Sequence, residues 1–357
     1  MLRTATAAIL LGLLLARPTA GAQVLRRGTE PAVEGRVAGI DDAGVTVRSE
    51  SGAVHFVPWD RVREVVADSP PPGLGRWMPV AQDLWRARSR LERHDTTLAE
   101  PLLERLFQEY RGRTHETALV VAEGLLRCRL ARGDHARAVI PALEVARLHR
   151  ANVTTDSYSG LPPVLDAETS LCPVLAPAWV SVRALARIER DLAGYDGQGD
   201  EVVAAIAALY GRAAAWALGS AAPLDEDVSL PEHPGVQWMQ LLVQCGSPIG
   251  DEVGRARERL SRDLADRSGW REAWARFHVG RSLLQETGIG RRQRGMVSLL
   301  HLPARFGRDQ PYLAGLALAH VAAALEESGD AEAASSLRLE LVRRFPNHPV
   351  HQAGSGG

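Results

Sequence analysis

Two periods of hydrophobic spacing divide the chain. From Val33 to Val66, in VEGRVAGIDDAGVTVRSESGAVHFVPWDRVREVV, apolar residues come in short runs broken by DDAG and SESG. Val45 and Val47 alternate with Thr46 and Arg48, as in a strand with one face to water. Gly44 and Gly52 close the two interruptions and can take positive φ at hairpin turns. Three or four such strands, with a short turn at WDRV, predict a small antiparallel β-barrel or sheet over residues 25–67. DSPPPGLG then ends the pattern, because three successive prolines can neither continue a ladder nor enter a helix interior. Residues 68–76 are therefore read as a linker.

Over residues 77–349 the period lengthens. Around Leu84 to Leu91, Leu98 to Tyr110, Ala118 to Leu130 and Ala136 to Leu148, apolar residues recur three or four apart, the spacing of a buried helix face. The connections RHDTT, RGRTHE and RGDH are short enough to force antiparallel neighbours. An internal repeat runs through them. Asp95, Asp134 and Asp330 follow His94, Gly133 and Gly329; Ala99, Ala138 and Ala334 stand four residues on, and Leu106, Val145 and Leu341 eleven on. Each aspartate suits a helix N-cap, each alanine lets a partner helix approach, and each later apolar residue fills the space between hairpins. GDEVVAAIAALYG repeats the pattern with Asp200 and Ala204 but has Gly211 at the last position.

AHVAAALEESGDAEAASSLRLELVRRFPNHP resembles a tetratricopeptide repeat, with Ala322, the Gly329-Asp330 corner, Ala334 and Pro346 in matching places. Leu341 departs from the family's second alanine, the other corners lack a following proline, and their separations are uneven. The resemblance implies an irregular α-solenoid of antiparallel hairpins whose concave face binds another protein or peptide. The β stretch resembles the SH3-like and Sm-like barrels, a likeness that implies binding or bracing. Residues 151–178 and 218–235 interrupt the helical period with Pro, Ser and Thr. Loops this long either line a groove or form solvated excursions.

The opening MLRTATAAILLGLLLARPTAGAQ has a basic start at Arg3, an apolar run from Ala7 to Ala16 and small residues at 20–22. This is the form of a signal peptide over residues 1–22, and the run is too short for a membrane span. The expectation is an exported protein, periplasmic or associated with the cell envelope, without an integral membrane segment in the mature chain. An oxidising compartment allows a disulfide between Cys172 and Cys245, both near loops; the alternative is three unpaired core cysteines. Cys128 reads as a small buried helix residue.

Composition removes several chemistries. The net charge is -1, so no global field favours nucleic acid. No lysine occurs in the chain, which excludes the P-loop, Schiff-base, Ser-Lys and protein-kinase chemistries that need an amine. No His-x-x-x-His set stands out, and His348 and His351 lie beside Pro349 in a stretch read as frayed. DGQGDE lacks the glycine and the bidentate glutamate of a calcium loop, so Asp200 reads as a cap.

Partner-binding candidates remain. Trp270 and Trp274 share a helix face with Arg271 and Arg276 close by, a combination that either packs or anchors a partner. Arg291, Arg292 and Arg294 lie in GIGRRQRG, either a corner able to hold an acidic side chain or a phosphate or solvated arginines at a helix start. No catalytic set, metal site or cofactor site emerges. The sequence therefore predicts a mainly α protein: signal peptide, small β module, helical repeat domain at 77–349 and a disordered tail at 350–357. Its expected role is non-enzymatic scaffolding in the envelope. The alternatives are a helical-ring lyase or glycosidase using Asp225 or Glu226, and glycan or lipid binding by the β module.

Overall fold

The computed structural model describes residues 21–220, 230–264 and 268–353. The expected signal peptide, apart from its last two residues, lies outside them. Contacts divide the chain into two units, residues 1–85 and 86–357.

In the first unit, β1 (Ala22–Arg26), β2 (Val33–Ile40), β3 (Gly44–Arg48), β4 (Val54–Pro58) and β5 (Val62–Ala67) form one antiparallel sheet in the order β4-β3-β2-β1-β5. The near half of β2 pairs with β1, where Gly35 faces Ala22, and the far half pairs with β3, where Arg36 faces Arg48. The sheet changes partner at Gly35, which has φ 151° and whose Cβ would stand 2.3 Å from the Arg48 carbonyl oxygen. Only glycine fits that crossing. β4 and β5 are joined by a 3₁₀ turn (Trp59–Arg61) and form the two outer edges. Of the two forms expected, barrel or sheet, this is the open sheet, and it is compatible with an SH3-like module. β1 was hidden in the sequence because it starts where the export signal was expected to end. Inward side chains Val24, Val45, Val47, Val57 and Val62 bury the core around Trp59. The Trp59 indole N–H donates to the Asp41 carbonyl at 2.8 Å, and its ring stacks on Trp77 of helix α1 (Leu74–Glu92).

The second unit is helical: α2 (Thr96–Tyr110), α3 (Glu116–Ala131), α4 (His135–Arg150), α5 (Val182–Leu192), α6 (Glu201–Ala217), α7 (Pro234–Gln244), α8 (Gly250–Asp263), α9 (Gly269–Leu284), α10 (Ile289–Arg305), α11 (Pro311–Glu327), α12 (Ala331–Arg344) and a terminal turn, α13 (Val350–Ala353). The chain therefore continues as helix into the first residues of the tail read as disordered. From α2 to α12 consecutive helices pack together, and α4 also meets α6, α7 meets α9, α9 meets α11, and α13 meets α11. These contacts are compatible with a helical repeat protein carrying a β module. α9 and α10 approach closely at Gly280 and Gly295, where a Cβ on Gly295 would lie 2.8 Å from the Gly280 oxygen.

The three aspartate corners have one geometry. Each aspartate N–H returns to the carbonyl five residues back: Asp95 to Arg90 at 2.8 Å, Asp134 to Arg129 at 2.9 Å and Asp330 to Leu325 at 2.9 Å. This is the 6→1 bond of a left-handed helix stop, and each preceding residue (His94, Gly133, Gly329) has positive φ. The aspartate carboxylates then accept from the N–H groups of Leu98, Arg137 and Ala333. Ala99, Ala138 and Ala334, one turn in, are each 0% exposed. Asp200 caps α6 in the same manner, accepting from Val202 and Val203. At 61° the φ of His94 fills a glycine position with a side chain. His94→Gly is therefore expected to stabilise the unit by about 0.5–1 kcal/mol, relief of left-handed strain exceeding the entropy cost of glycine. A urea midpoint unchanged or lowered would contradict this.

The segment between α4 and α5 is not a solvated excursion. Leu171, Cys172, Leu175, Ala176 and Ala178 are buried, although no helix or strand contains them. Five helices hold it. The hydroxyl of Tyr158, within the segment, donates to Val120 of α3. Tyr210 of α6 donates to the Leu175 carbonyl at 2.6 Å, and Trp274 of α9 and Gln310 beside α11 both donate to Pro173. On α7, a Cβ at Gly235 would fall 1.9 Å from the Thr169 oxygen.

Candidate interaction surfaces

The tryptophan–arginine group resolves into packing and ion pairs. Trp274 is 0% exposed, and its indole N–H is spent on Pro173 at 2.9 Å. Trp270 is half-buried and meets Trp274 edge-on at 4.8 Å. Arg271 reaches back to Asp166 at 3.1 Å and Glu168 at 2.7 Å, tying α9 to the inner segment. Arg276 pairs with the buried Glu272, which also takes Arg305 at 3.2 Å. Burial thus removes Trp274 from any docking surface, for a reason invisible in the sequence: its partner carbonyl lies about a hundred residues away.

The three arginines of GIGRRQRG do not sit in a corner. α10 begins at Ile289, so they occupy its first turns. Arg291 holds Glu286 at 2.9 Å and Arg292 holds Glu327 at 3.0 Å, so two of them do hold acidic side chains, those of this chain itself. Arg294 is exposed and reaches the Gly290 carbonyl at 3.4 Å.

All three cysteines are free and buried, with no bridge between Cys172 and Cys245. Cys172 is enclosed in the inner segment and Cys245 caps α7. Burial pushes all three thiols up to about 12, far from a reactive thiolate. Asp225 and Glu226, the acids of the enzyme alternative, lie outside the described residues. Among the described residues no group of three or more His, Cys, Asp or Glu side chains is arranged to hold a metal ion. None of the described helices is long and apolar enough to cross a membrane.

Buried and half-buried acids are answered by arginine. Glu144 of α4 takes Arg147 at 3.0 Å, the Tyr195 hydroxyl at 3.1 Å and the Gly112 N–H at 3.3 Å, joining three segments. Glu104 of α2 takes Arg129 at 2.9 Å and Arg137 at 2.6 Å. These carboxylates cross-link hairpins.

A different group forms where the α3–α4 corner meets the last hairpin. The ring of His135, first residue of α4, stacks on Tyr312 of α11 at 3.6 Å and 13°. His348 stacks on Tyr312 at 5.2 Å, its Nε2 2.9 Å from the Tyr312 carbonyl. Gly315 makes room for it, since a Cβ there would meet the His348 ring at 2.5 Å. His348 is therefore buried, not frayed. Beside this stack a cleft of about 610 Å³ opens between the α3–α4 corner, the start of α11 and residues 344–351.

No family model, no curated protein and no solved structure matches the chain.

Proposed function

We propose that the protein is a non-enzymatic interaction scaffold of the cell envelope that holds another protein or peptide through its helical unit. The observation that carries this reading is the set of apolar side chains left facing water on two helices of the last hairpins. Val297 on α10 is 70% exposed, and Leu339 and Val342 on α12 are 50% and 52% exposed. Exposed apolar groups of this kind on an internally braced helical unit suit contact with another macromolecule. The face formed by α3, α6, α7, α9 and α11 already holds residues 151–181, so the proposed docking position moves outward.

A photoreactive residue placed at Val297, Leu339 or Val342 in the native cell tests this. A discrete covalent adduct with a second protein is expected at one or more of them. Recovery of the uncrosslinked chain alone, together with depolymerisation of a polysaccharide by the purified protein, would overturn the reading in favour of the enzyme. A second reading is supported by the outer strand β4, where Val54 and Phe56 are exposed: an aromatic on an open sheet edge suits a glycan or lipid. In that case crosslinks would arise from position 56 and not from α10 or α12.

A further inference from the structure

We infer that the outer face of α12 is a self-association surface, which binds the same face of a second copy of this chain in antiparallel register. α12 packs on α11, with Ala334 and Leu341 buried. The opposite side of the helix carries Glu332, Ser335, Ser336, Leu339, Val342 and Arg343, all of them exposed. These positions follow the helical spacing of three and four residues, so they form one continuous strip. Glu332 and Arg343 fall within about 20° of each other around the helix and about 16 Å apart along it.

The charges on this strip are unspent. Arg338 holds Glu326 of α11, and Arg344 holds Glu340 at 2.8 Å. Glu332 and Arg343, the other charged side chains of α12, have no ion pair among the described residues. The acid starts the strip and the base ends it. A two-fold axis at the middle of the helix, between residues 337 and 338, brings Glu332 of each copy against Arg343 of the other. The same axis lays Leu339 of one copy over the small Ser336 of the other, and Val342 over Ala333. A parallel pair would instead set glutamate on glutamate and arginine on arginine. Antiparallel helix dipoles also attract, with the positive end of each beside the negative end of its neighbour.

Charge complementarity selects this occupant. With one free charge of each sign, the strip has no net charge to draw an acidic or a basic partner. Its own two-fold image answers both charges and covers both apolar side chains. One helix face per copy is small for a protein interface, so a dissociation constant of about 10 μM is expected. The inference does not rest on the scaffold reading. It assigns Leu339 and Val342 to a second copy and leaves Val297 of α10 for another protein, so the two stand or fall separately.

Sedimentation equilibrium of the purified full-length chain, from about 1 to about 200 μM, is the test. The average mass is expected to rise from one chain toward two, with half-association near about 10 μM. Glu332→Arg and Arg343→Glu each set like charges together in both pairs, and each should weaken the dimer by at least about tenfold. An equal mixture of these two variants should recover it, because each chain then meets opposite charges on the other. Leu339→Ser should weaken it by about tenfold. Arg262→Glu on α8 changes the net charge as Arg343→Glu does, and should leave the association as it was. A single-chain mass throughout, charge variants that associate like wild type, or a mixture that stays dissociated would each overturn the inference. A photoreactive residue at Leu339 in the native cell separates the two readings. An adduct of two copies of this chain supports the inference without supporting the scaffold. An adduct with a different protein, the purified chain being monomeric, overturns the inference and leaves the scaffold standing.

Discussion

Acidification from pH 7 to pH 5 is expected to destabilise the helical unit by about 6 kcal/mol, through three histidines, two of them buried (His135 and His278) and one half-buried (His320). Burial, with the Arg281 guanidinium alongside, pushes His278 down to about 3 and His320 down to about 4. Burial beside His348 pushes His135 down to about 3. In the unfolded chain each titrates near the ordinary value of about 6.5. The unfolded state therefore binds more protons throughout the window from about 6.5 down to these depressed values, and stability falls with pH across it. Each histidine contributes about 1.4 kcal/mol per pH unit, so about 2 kcal/mol by pH 5.

The total is comparable to the whole stability of a typical domain. Salt-bridged carboxylates such as Glu104 and Asp166, held low partly by their arginines, lose their contribution only at lower pH, so the two windows separate. Urea titrations at pH 7, 6 and 5 give the slope directly. His278→Phe, which removes a proton site whose Nε2 is unpartnered among the described residues, should flatten that slope by about 1.4 kcal/mol per unit. A stability independent of pH between 7 and 5 would contradict the assignment of these rings as neutral.

Replacement of Trp274 by alanine is expected to cost about 4 kcal/mol, the largest effect of any single side chain considered for the surface. The indole is wholly enclosed and joins α9 to the inner segment at Pro173, so its removal leaves a cavity at the centre of the unit. Trp274→Phe keeps most of the ring and loses the N–H, and should cost about 1–2 kcal/mol. The Pro173 oxygen keeps the Gln310 amide in either variant, which limits the loss to packing and one hydrogen bond. Trp270→Ala, at a half-buried position, should cost clearly less. A Trp274→Ala variant as stable as wild type in denaturant titration would mean that the segment is not anchored there.

These effects mark where the sequence was legible and where it was not. The corners could be read because everything that makes them is local. The left-handed residue, the capping aspartate and the close-approach alanine lie within six residues, and Ala99, Ala138 and Ala334 are all buried as that pattern requires. The β unit was readable in its hairpins, but its closure was not, because closure depends on whether β4 meets β5 across the module. The inner segment escaped because it has no period. Its hydrogen bonds end on side chains from α6, α9 and α11, so neither helical nor strand spacing marks Leu171, Leu175 or Ala178 as core. The ring stack escaped for the same reason, since His135 and Tyr312 lie far apart in the chain. The one local hint was Gly315 in an otherwise alanine- and leucine-rich helix, where a conspicuous lack of side chain admits His348. Trp274 and Arg271, which read along a helix suit either packing or an exposed anchor, turned inward because their partners Pro173, Asp166 and Glu168 were supplied by that unread segment.

Native-state hydrogen exchange on the backbone of residues 163–180 tests the central structural claim, that this segment is core and not loop. The amides of Ser170, Leu175 and Ala178, bonded to Asp166, Cys172 and Ala176 within the segment, are expected to exchange only through openings that also release α9 and α11. Exchange of these amides as fast as at an exposed turn, with the helices still protected, would show that the segment lies outside the core and that the inner face stands free for a partner.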